Sequence, residues 1–399
     1  MRILPPFLLF ASASLVQGAH AQTKPRARDL GVPLEGTPGP LNAITDVPGV
    51  RVGHATIIRG SGRRVIGEGP VRTGVTAILP RGNNFDDPVF AGWFTLNGNG
   101  EMTGTTWLEE SGFLEGPVVI TNTHSVGVVR DAVIDWLVRR GQQFDWALPV
   151  VAETWDGGLN DINGFHVTGE HAFQALDSAR SGPVAEGNVG GGTGMVCHQF
   201  KGGIGTSSRR VTIAEASYTL GVLVQCNYGS RNLLRIAGVP VGTEIADLMP
   251  CYVTPPPGQP DARVCGRAGP QGPDEEPGGS IIIVVATDAP LLPHQLERLA
   301  RRTTLGLGKM GSIASNGSGD IFIAFSTANP GADRGPAPAR ITVLPNGQLG
   351  PLFLATVQAT EEAIVNALVA AETMTGADDY RVYALPHDRL RAALRKYGR

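Results

Sequence analysis

Gly278-Gly279-Ser280-Ile281-Ile282-Ile283-Val284-Val285-Ala286-Thr287-Asp288 decides the fold. A glycine pair closes a Pro/Gly-rich loop, a serine follows, and a β-branched run begins. Such a run, bounded by turn residues, predicts a strand buried on both faces. Ser280 then stands at the mouth of a central strand. With no Cβ on Gly279, the backbone can bend so that the Ser280 hydroxyl reaches the Gly279 carbonyl. Cleavage there would leave Ser280 as a new N-terminus, and its α-amine, with an ordinary pKa of about 7.7–8.0, can act as a general base. In isolation the same residues also read as an ordinary loop-to-strand junction, so the surrounding chain has to decide.

The loop before this strand, residues 254–279, is Pro255-Pro256-Pro257 followed by Gly, Asp, Glu and Pro with hardly an apolar residue. A long exposed loop is where a cut is easiest to tolerate. Over the whole chain of 399 residues, 42% are hydrophobic and 17% charged, which suits a globular protein with a substantial core. The 54 glycines and 30 prolines are spread throughout and imply tight turns and close backbone contacts. A net charge of −3 without basic runs argues against nucleic acid as the main partner.

Met1-Arg2, the apolar Ile3 to Val16 and the small-residue site Ala19-His20-Ala21 predict a signal peptide over residues 1–21 and a periplasmic or secreted location. Its apolar core is too short to span a bilayer, no later segment is expected to do so, and no membrane association is expected. Cys251 and Cys265 flank the Pro-rich loop and can pair, whereas Cys197 and Cys226 read as small packed hydrophobes. No spacing indicates a zinc site, and no metal or cofactor is expected.

Strands are predicted near 49–54, 73–80, 89–95, 117–123, 149–158, 219–226 and 321–325, and helices over 125–140, 290–302 and 354–374. Their interleaving predicts one layered α/β unit without internal repeats. Gly187 to Gly205 holds eight glycines in nineteen residues. No Gly-Lys-Ser/Thr follows in register, so close backbone packing is expected there instead of nucleotide binding.

Ser318-Gly319-Asp320 places a hydroxyl and a carboxylate two residues apart, able to share one side of an extended chain and to orient a base. It also reads as a polar hairpin turn. Asn227, at a strand end, can donate its amide to a developing oxyanion. Glu153, in a turn with Trp155, can hold a cationic group. His124 is the rival base, but no Gly-x-Ser-x-Gly pattern accompanies it.

Asn227-Tyr228-Gly229, Gly279-Ser280-Ile281-Ile282, Thr287-Asp288-Ala289-Pro290-Leu291-Leu292-Pro293-His294-Gln295 and Ser318-Gly319-Asp320 together resemble the β-aminopeptidase and L-aminopeptidase/D-esterase family of autocleaving serine hydrolases. The resemblance runs from Gly49 to about Met374. It implies an αββα sandwich of N-terminal-nucleophile type, cut between Gly279 and Ser280. An α chain (22–279) and a β chain (280–399) would then stay together as one catalytic domain and assemble into homo-oligomers of αβ units. It implies Ser280 as nucleophile, Ser318 and Asp320 as its relay, Asn227 in the oxyanion hole, and Glu153, beside Trp155, as the group binding the substrate ammonium. Family members can carry Glu where this chain has Asp320, and Tyr where it has Trp155. The stretch from Cys251 to Cys265 looks like an insert. The expected activity is release of N-terminal residues, β-amino acids included, from short peptides, amides or esters with a free amine. The alternatives are an acyltransferase of the ornithine acetyltransferase type, a polyamide oligomer hydrolase, and a non-catalytic periplasmic binding protein.

Overall fold

The computed structural model describes residues 24–258, 262–267, 279–335 and 337–399. The expected signal peptide and most of the loop before Gly279 lie outside the described residues. Ten strands form two sheets: β1 (Arg51–Arg59), β2 (Val71–Leu79), β3 (Val89–Gly98), β4 (Phe113–Leu114), β5 (Val118–Asn122), β6 (Val150–Thr154), β7 (Gly203–Ile213), β8 (Ala216–Asn227), β9 (Gly279–Thr287) and β10 (Ser318–Ser326). The first sheet has the order β1-β2-β5-β6, the second β4-β3-β10-β9-β8-β7. Only β5 with β6 and β9 with β10 run parallel. Four principal helices cover them: α1 (Val126–Arg139), α2 (Gly169–Asp177), α3 (Pro293–Met310) and α4 (Gly350–Ala370).

Side-chain alternation in β9 shows why the fold is layered. Ile281, Ile283 and Val285 pack with Leu299, Leu307, Ile364 and Leu368 of α3 and α4. Ile282, Val284 and Ala286 face the first sheet, against Ile78, Val118, Ile120 and Ala152. Every residue from Ile281 to Ala286 is fully buried, and each Ile or Val so placed contributes about 1.5–3 kcal/mol relative to exposure. On the far side of the first sheet, Val75, Ala77 and Val119 meet Val129, Val133 and Trp136 of α1 and Leu176 of α2. The outcome is the expected αββα sandwich.

Several elements depart from the sequence reading. Ser318-Gly319-Asp320 lies inside β10, not in a turn before it. Strand β7 and helix α2 were not predicted. Among the described residues one helix, α4, is long and apolar enough to cross a membrane, contrary to expectation, but 78% of its apolar window is buried in this fold. The pair Cys251–Cys265 is joined (S–S 2.04 Å). Cys197 and Cys226, expected to pack separately, are joined as well (Cα–Cα 5.6 Å), because the chain after Gly194 turns back onto the end of β8. The Gly-rich stretch is a backbone wedge as expected: an added Cβ would lie 2.3 Å from Thr76 Oγ1 at Gly190 and 2.1 Å from Gln225 Oε1 at Gly191.

Helix α4 lies unusually close to β7, where a Cβ on Gly205 would come within 2.0 Å of the Ala363 carbonyl oxygen. Two backbones in contact cannot yield without moving the helix. Gly205→Ala is therefore expected to cost about 1–3 kcal/mol, read as a fall of several degrees in the thermal unfolding midpoint.

Candidate active site

The site forms where β9 begins, between β8 and β10. In register, Gly279 stands opposite Ser318, and Ser280 stands between Gly319 and Asn227. Glycines on one side of the serine and next to it in the chain let three backbones close in. A Cβ on Gly279 would lie 2.3 Å from the Asn227 carbonyl oxygen, and one on Gly319 would lie 2.3 Å from the Asn99 carbonyl oxygen. The Gly279–Ser280 peptide is thus held inside a strand, with Ser280 only 4% exposed.

The two faces of the sheet carry different groups. By alternation with Ile282 and Val284, Ser280 faces the space between the sheets, as Asn227 does. Ser318 and Asp320 alternate with Phe322 and Ala324 and face the helices. The backbone nitrogen of Ser280 lies in the plane between the two faces. Ser318 Oγ donates to Asp320 Oδ1 at 2.7 Å. Asp320 is itself fixed by its backbone N–H, which donates to Asn97 Oδ1 at 2.8 Å. Burial pushes the Asp320 carboxyl up to about 6, against the pull of the Ser318 hydroxyl and the Ile281 N–H.

Asn227 has one orientation. The Val196 N–H donates to its Oδ1 at 2.7 Å, and its Nδ2 donates to the Trp155 carbonyl at 2.8 Å. These bonds fix which end of the amide is nitrogen and leave its second N–H unspent. Trp155 contributes this carbonyl, while its indole is half exposed at the rim.

Glu153 lies within β6, one residue before its end and not in a turn, and is buried. Its Oε1 accepts from the Glu101 N–H at 2.9 Å, and its Oε2 accepts from the Thr123 hydroxyl. Burial raises its pKa, and the two donors restore part of the shift. Gly100 lies between this carboxylate and β10, the strand beside the serine's. A Cβ on Gly100 would lie 3.1 Å from Gly319 Cα and 3.2 Å from Glu153 Oε1. His124 is exposed and stacks on Phe165 with ring centroids 6.0 Å apart.

Sequence reasoning missed the supports. Asp156, buried and pushed up to about 7 by that burial, accepts from Asn160 Nδ2 at 3.0 Å and holds the turn that presents the Trp155 carbonyl. Lys201, fully buried and lowered by desolvation to about 7, donates to the carbonyls of Met195 (2.8 Å), Gly202 (2.9 Å) and Gly192 (3.3 Å), next to the Val196 N–H that holds Asn227. A lone lysine in a glycine-rich run was the one available signal. Thr123, Asn97 and the Glu101 N–H carry no pattern in sequence.

The geometry matches known proteins along nearly the whole chain. The model of peptidase family S58 matches residues 42–382. The chain is 56% identical over 395 residues to the β-peptidyl aminopeptidase BapA of Sphingosinicella microcystinivorans, covering 98% of each. To that of Sphingosinicella xenopeptidilytica it is 52% identical over 388 residues, covering 96% of this chain and 94% of the relative. Among solved structures, the L-aminopeptidase D-Ala-esterase/amidase of Ochrobactrum anthropi, described as a prototype serine aminopeptidase and a variant of the Ntn hydrolase fold, superposes with a TM-score of 0.84 at 50% identity. The alignment covers 94% of this chain and 99% of that one. A Burkholderia sp. β-aminopeptidase superposes with a TM-score of 0.80 at 47% identity and the same coverage. This chain belongs to peptidase family S58 and is an aminopeptidase with the Ntn hydrolase fold.

Proposed function

We propose that this aminopeptidase cuts itself between Gly279 and Ser280 and then uses Ser280 to release N-terminal residues, β-amino acids included, from short peptides, amides and esters. The observation that carries the reading is the placement of a Gly–Ser bond inside a central strand between Asn227 and the Ser318–Asp320 side of β10. In the cut, the Ser280 hydroxyl oxygen bonds to the Gly279 carbonyl carbon and the C–N bond breaks. The hydroxyl proton ends on the departing nitrogen, and water hydrolyses the ester. The residue 280 nitrogen changes from a non-basic amide into an amine. In turnover that amine takes the Ser280 hydroxyl proton while the oxygen attacks the substrate carbonyl. The unspent Asn227 N–H stabilises the oxyanion. The proton then passes to the leaving amine, and water releases the acyl group.

Glu153 supports the preference for a free amine. A buried carboxylate with two donors already in place has capacity left for an ammonium, and its position near Gly319 sets the span between ammonium and attacked carbonyl. The β-peptidyl relatives favour a span that admits one more methylene than an α-amino acid has. Export guided by residues 1–21, giving a periplasmic or secreted enzyme, and assembly of αβ units into a homo-oligomer belong to the same proposal.

Ser280→Ala is expected to remain a single polypeptide on a denaturing gel, whereas the parent separates into fragments ending at Gly279 and starting at Ser280; a variant that still splits refutes the serine as the cutting group. Glu153→Gln is expected to lower kcat/KM for substrates with a free amine by about 10- to 100-fold, with little change on N-acylated esters. Asp320 works ionised here, and protonation would end its hold on the Ser280 amine. With the carboxyl raised to about 6, kcat/KM should fall as pH drops through about 6, and Asp320→Asn should abolish that limb along with about 10²–10⁴-fold of activity.

A further inference from the structure

Val196–Cys197 and Phe200–Lys201 pair as a small hairpin lying on the end of β8. Its tip is His198-Gln199, and both residues are left-handed, with φ of 48° and 56°. Residues of this size rarely adopt that backbone, and they keep it only where their surroundings over-determine it. Here the surroundings do so. Arg231, buried and stacked on the Phe200 ring, donates to the carbonyls of His198 and Gln199, and its own N–H donates to Gln199 Oε1 at 2.9 Å. At the base of the hairpin, the Lys201 amine holds the carbonyls of Met195 and Gly202.

What this rigid hairpin holds is the end of β8. In the plane of the sheet, the His198 N–H donates to the Tyr228 carbonyl at 2.6 Å. On the face toward the first sheet, the Val196 N–H donates to Asn227 Oδ1 at 2.7 Å. On the opposite face, Cys197 is joined to Cys226 in the apolar layer beneath the helices. The disulfide therefore links the residue after Val196 to the residue before Asn227. Its two ends flank the hydrogen bond that orients the Asn227 amide, on the side of the strand where that bond is not. The fit leaves no slack: a Cβ on Gly202 would lie 2.4 Å from the Cys226 carbonyl oxygen and 2.6 Å from Cys197 Cβ. Hydrogen bonds stretch and exchange, whereas a disulfide fixes the span between the backbones that it joins.

We propose that the Cys197–Cys226 disulfide is a positioning element for Asn227: by locking Val196 against the end of β8, it keeps the unspent amide N–H aimed at the developing oxyanion. This rests on the reading of Asn227 given above. Neither sulfur meets substrate, so the link acts on the transition state through Asn227 alone. Cys251 sits in a separate three-stranded sheet, and its link to Cys265 serves as the control.

The test compares two paired replacements in the processed enzyme, Cys197→Ala with Cys226→Ala and Cys251→Ala with Cys265→Ala. Removing an oxyanion donor outright costs about 10²–10³-fold in kcat, so a donor still present but loosely aimed is expected to cost about tenfold. An interaction made only in the transition state lowers kcat and kcat/KM together, so KM should stay within about twofold. An aminoalkyl boronic acid, which forms a tetrahedral adduct with a serine oxygen, should bind the first variant about tenfold more weakly, while the product amino acid binds as before. The control pair should match the parent in all of these. An unchanged kcat in the first variant overturns the proposal, as does equal weakening of boronic acid and product, or the same loss in the control. So does a peptide map of the parent that finds Cys197 and Cys226 as thiols. Where the first variant does not process, the parent is reduced with a phosphine after processing, and kcat should then fall in step with alkylation of Cys197 and Cys226; a fall that follows only Cys251 and Cys265, or none, overturns it equally. Asn227→Ala separates the two levels. If that variant processes and turns over like the parent, the reading of Asn227 fails, whereas a crippled Asn227→Ala beside an unaffected first pair sinks this inference alone.

Discussion

The structure depends on a contact that only glycine permits. At the start of β9 the backbones of β8, β9 and β10 and of the Asn99–Gly100 bend after β3 approach so closely that Gly279, Gly319 and Gly100 each meet a neighbour well inside, or at the edge of, the range open to a Cβ. A methyl group on Gly279 or Gly319 has to displace main chain, and main chain in a six-stranded sheet yields only by breaking its ladder, whereas one on Gly100 would press more lightly on Gly319 and Glu153. The close approach puts the Ser280 peptide between an amide on one strand and a hydroxyl–carboxylate pair on the other. It also draws Glu153 across from the first sheet.

Once these groups are dry, electrostatics follow from burial. Asp320, Asp156 and Glu153 all rise above the usual carboxylate range and Lys201 falls, each with desolvation as the leading cause. The compensation comes mainly from fixed neutral dipoles: the Ser318 hydroxyl, the Glu101 N–H, the Asn160 amide and three carbonyls around Lys201. One consequence is a continuous set of bonds behind the Asn227 amide, the proposed oxyanion donor. It runs from Lys201 to the Met195 carbonyl, on through the Val196 N–H to Asn227 Oδ1, and from Asn227 Nδ2 to the Trp155 carbonyl above the Asp156 turn. Preorganised dipoles of this kind act without reorganising when charge develops.

The parts of this arrangement that could be read from sequence are those where side-chain chemistry follows burial. The run Ile281 to Ala286 is apolar on both sides because both of its faces are covered, and Ile321 to Phe325 is legible for the same reason. Strand β7 was hidden because Ser207, Ser208 and Arg209 are buried in spite of their polarity. Ser207 donates to the Ala359 carbonyl, Ser208 to Asp46 and Arg209 to the carboxylate of Glu362. Tertiary partners satisfy these groups, and no periodicity announces them. Of the two readings open for Ser318-Gly319-Asp320, an extended chain and a polar turn, the turn drew its support from Gly319 and Asp320, residue types depleted in strands. What holds them extended is pairing with β9 and Asn97, which is non-local. The Cys197–Cys226 link was likewise concealed by a reversal of the chain after Gly194. The Glu153 carboxylate was recognisable, but its donors Thr123 and the Glu101 N–H come from two other segments.

The division of the site between two sheet faces bears on why the proposed mechanism needs a cut. Ser280 faces the space between the sheets, as Asn227 does, whereas the Ser318–Asp320 pair lies on the helix side. Only an atom in the plane of the sheet can communicate with both, and the nitrogen of residue 280 is that atom. In the intact chain this nitrogen is a planar amide whose lone pair is delocalised, so it cannot accept the hydroxyl proton. The Gly279 carbonyl, moreover, stands on the acyl side where a substrate carbonyl has to sit. On the proposed chemistry one bond scission removes both obstacles: it frees the lone pair and vacates the acyl position. The first carbonyl attacked by Ser280 is then its own neighbour's, held at the oxyanion donor by the strand pairing that later receives substrate.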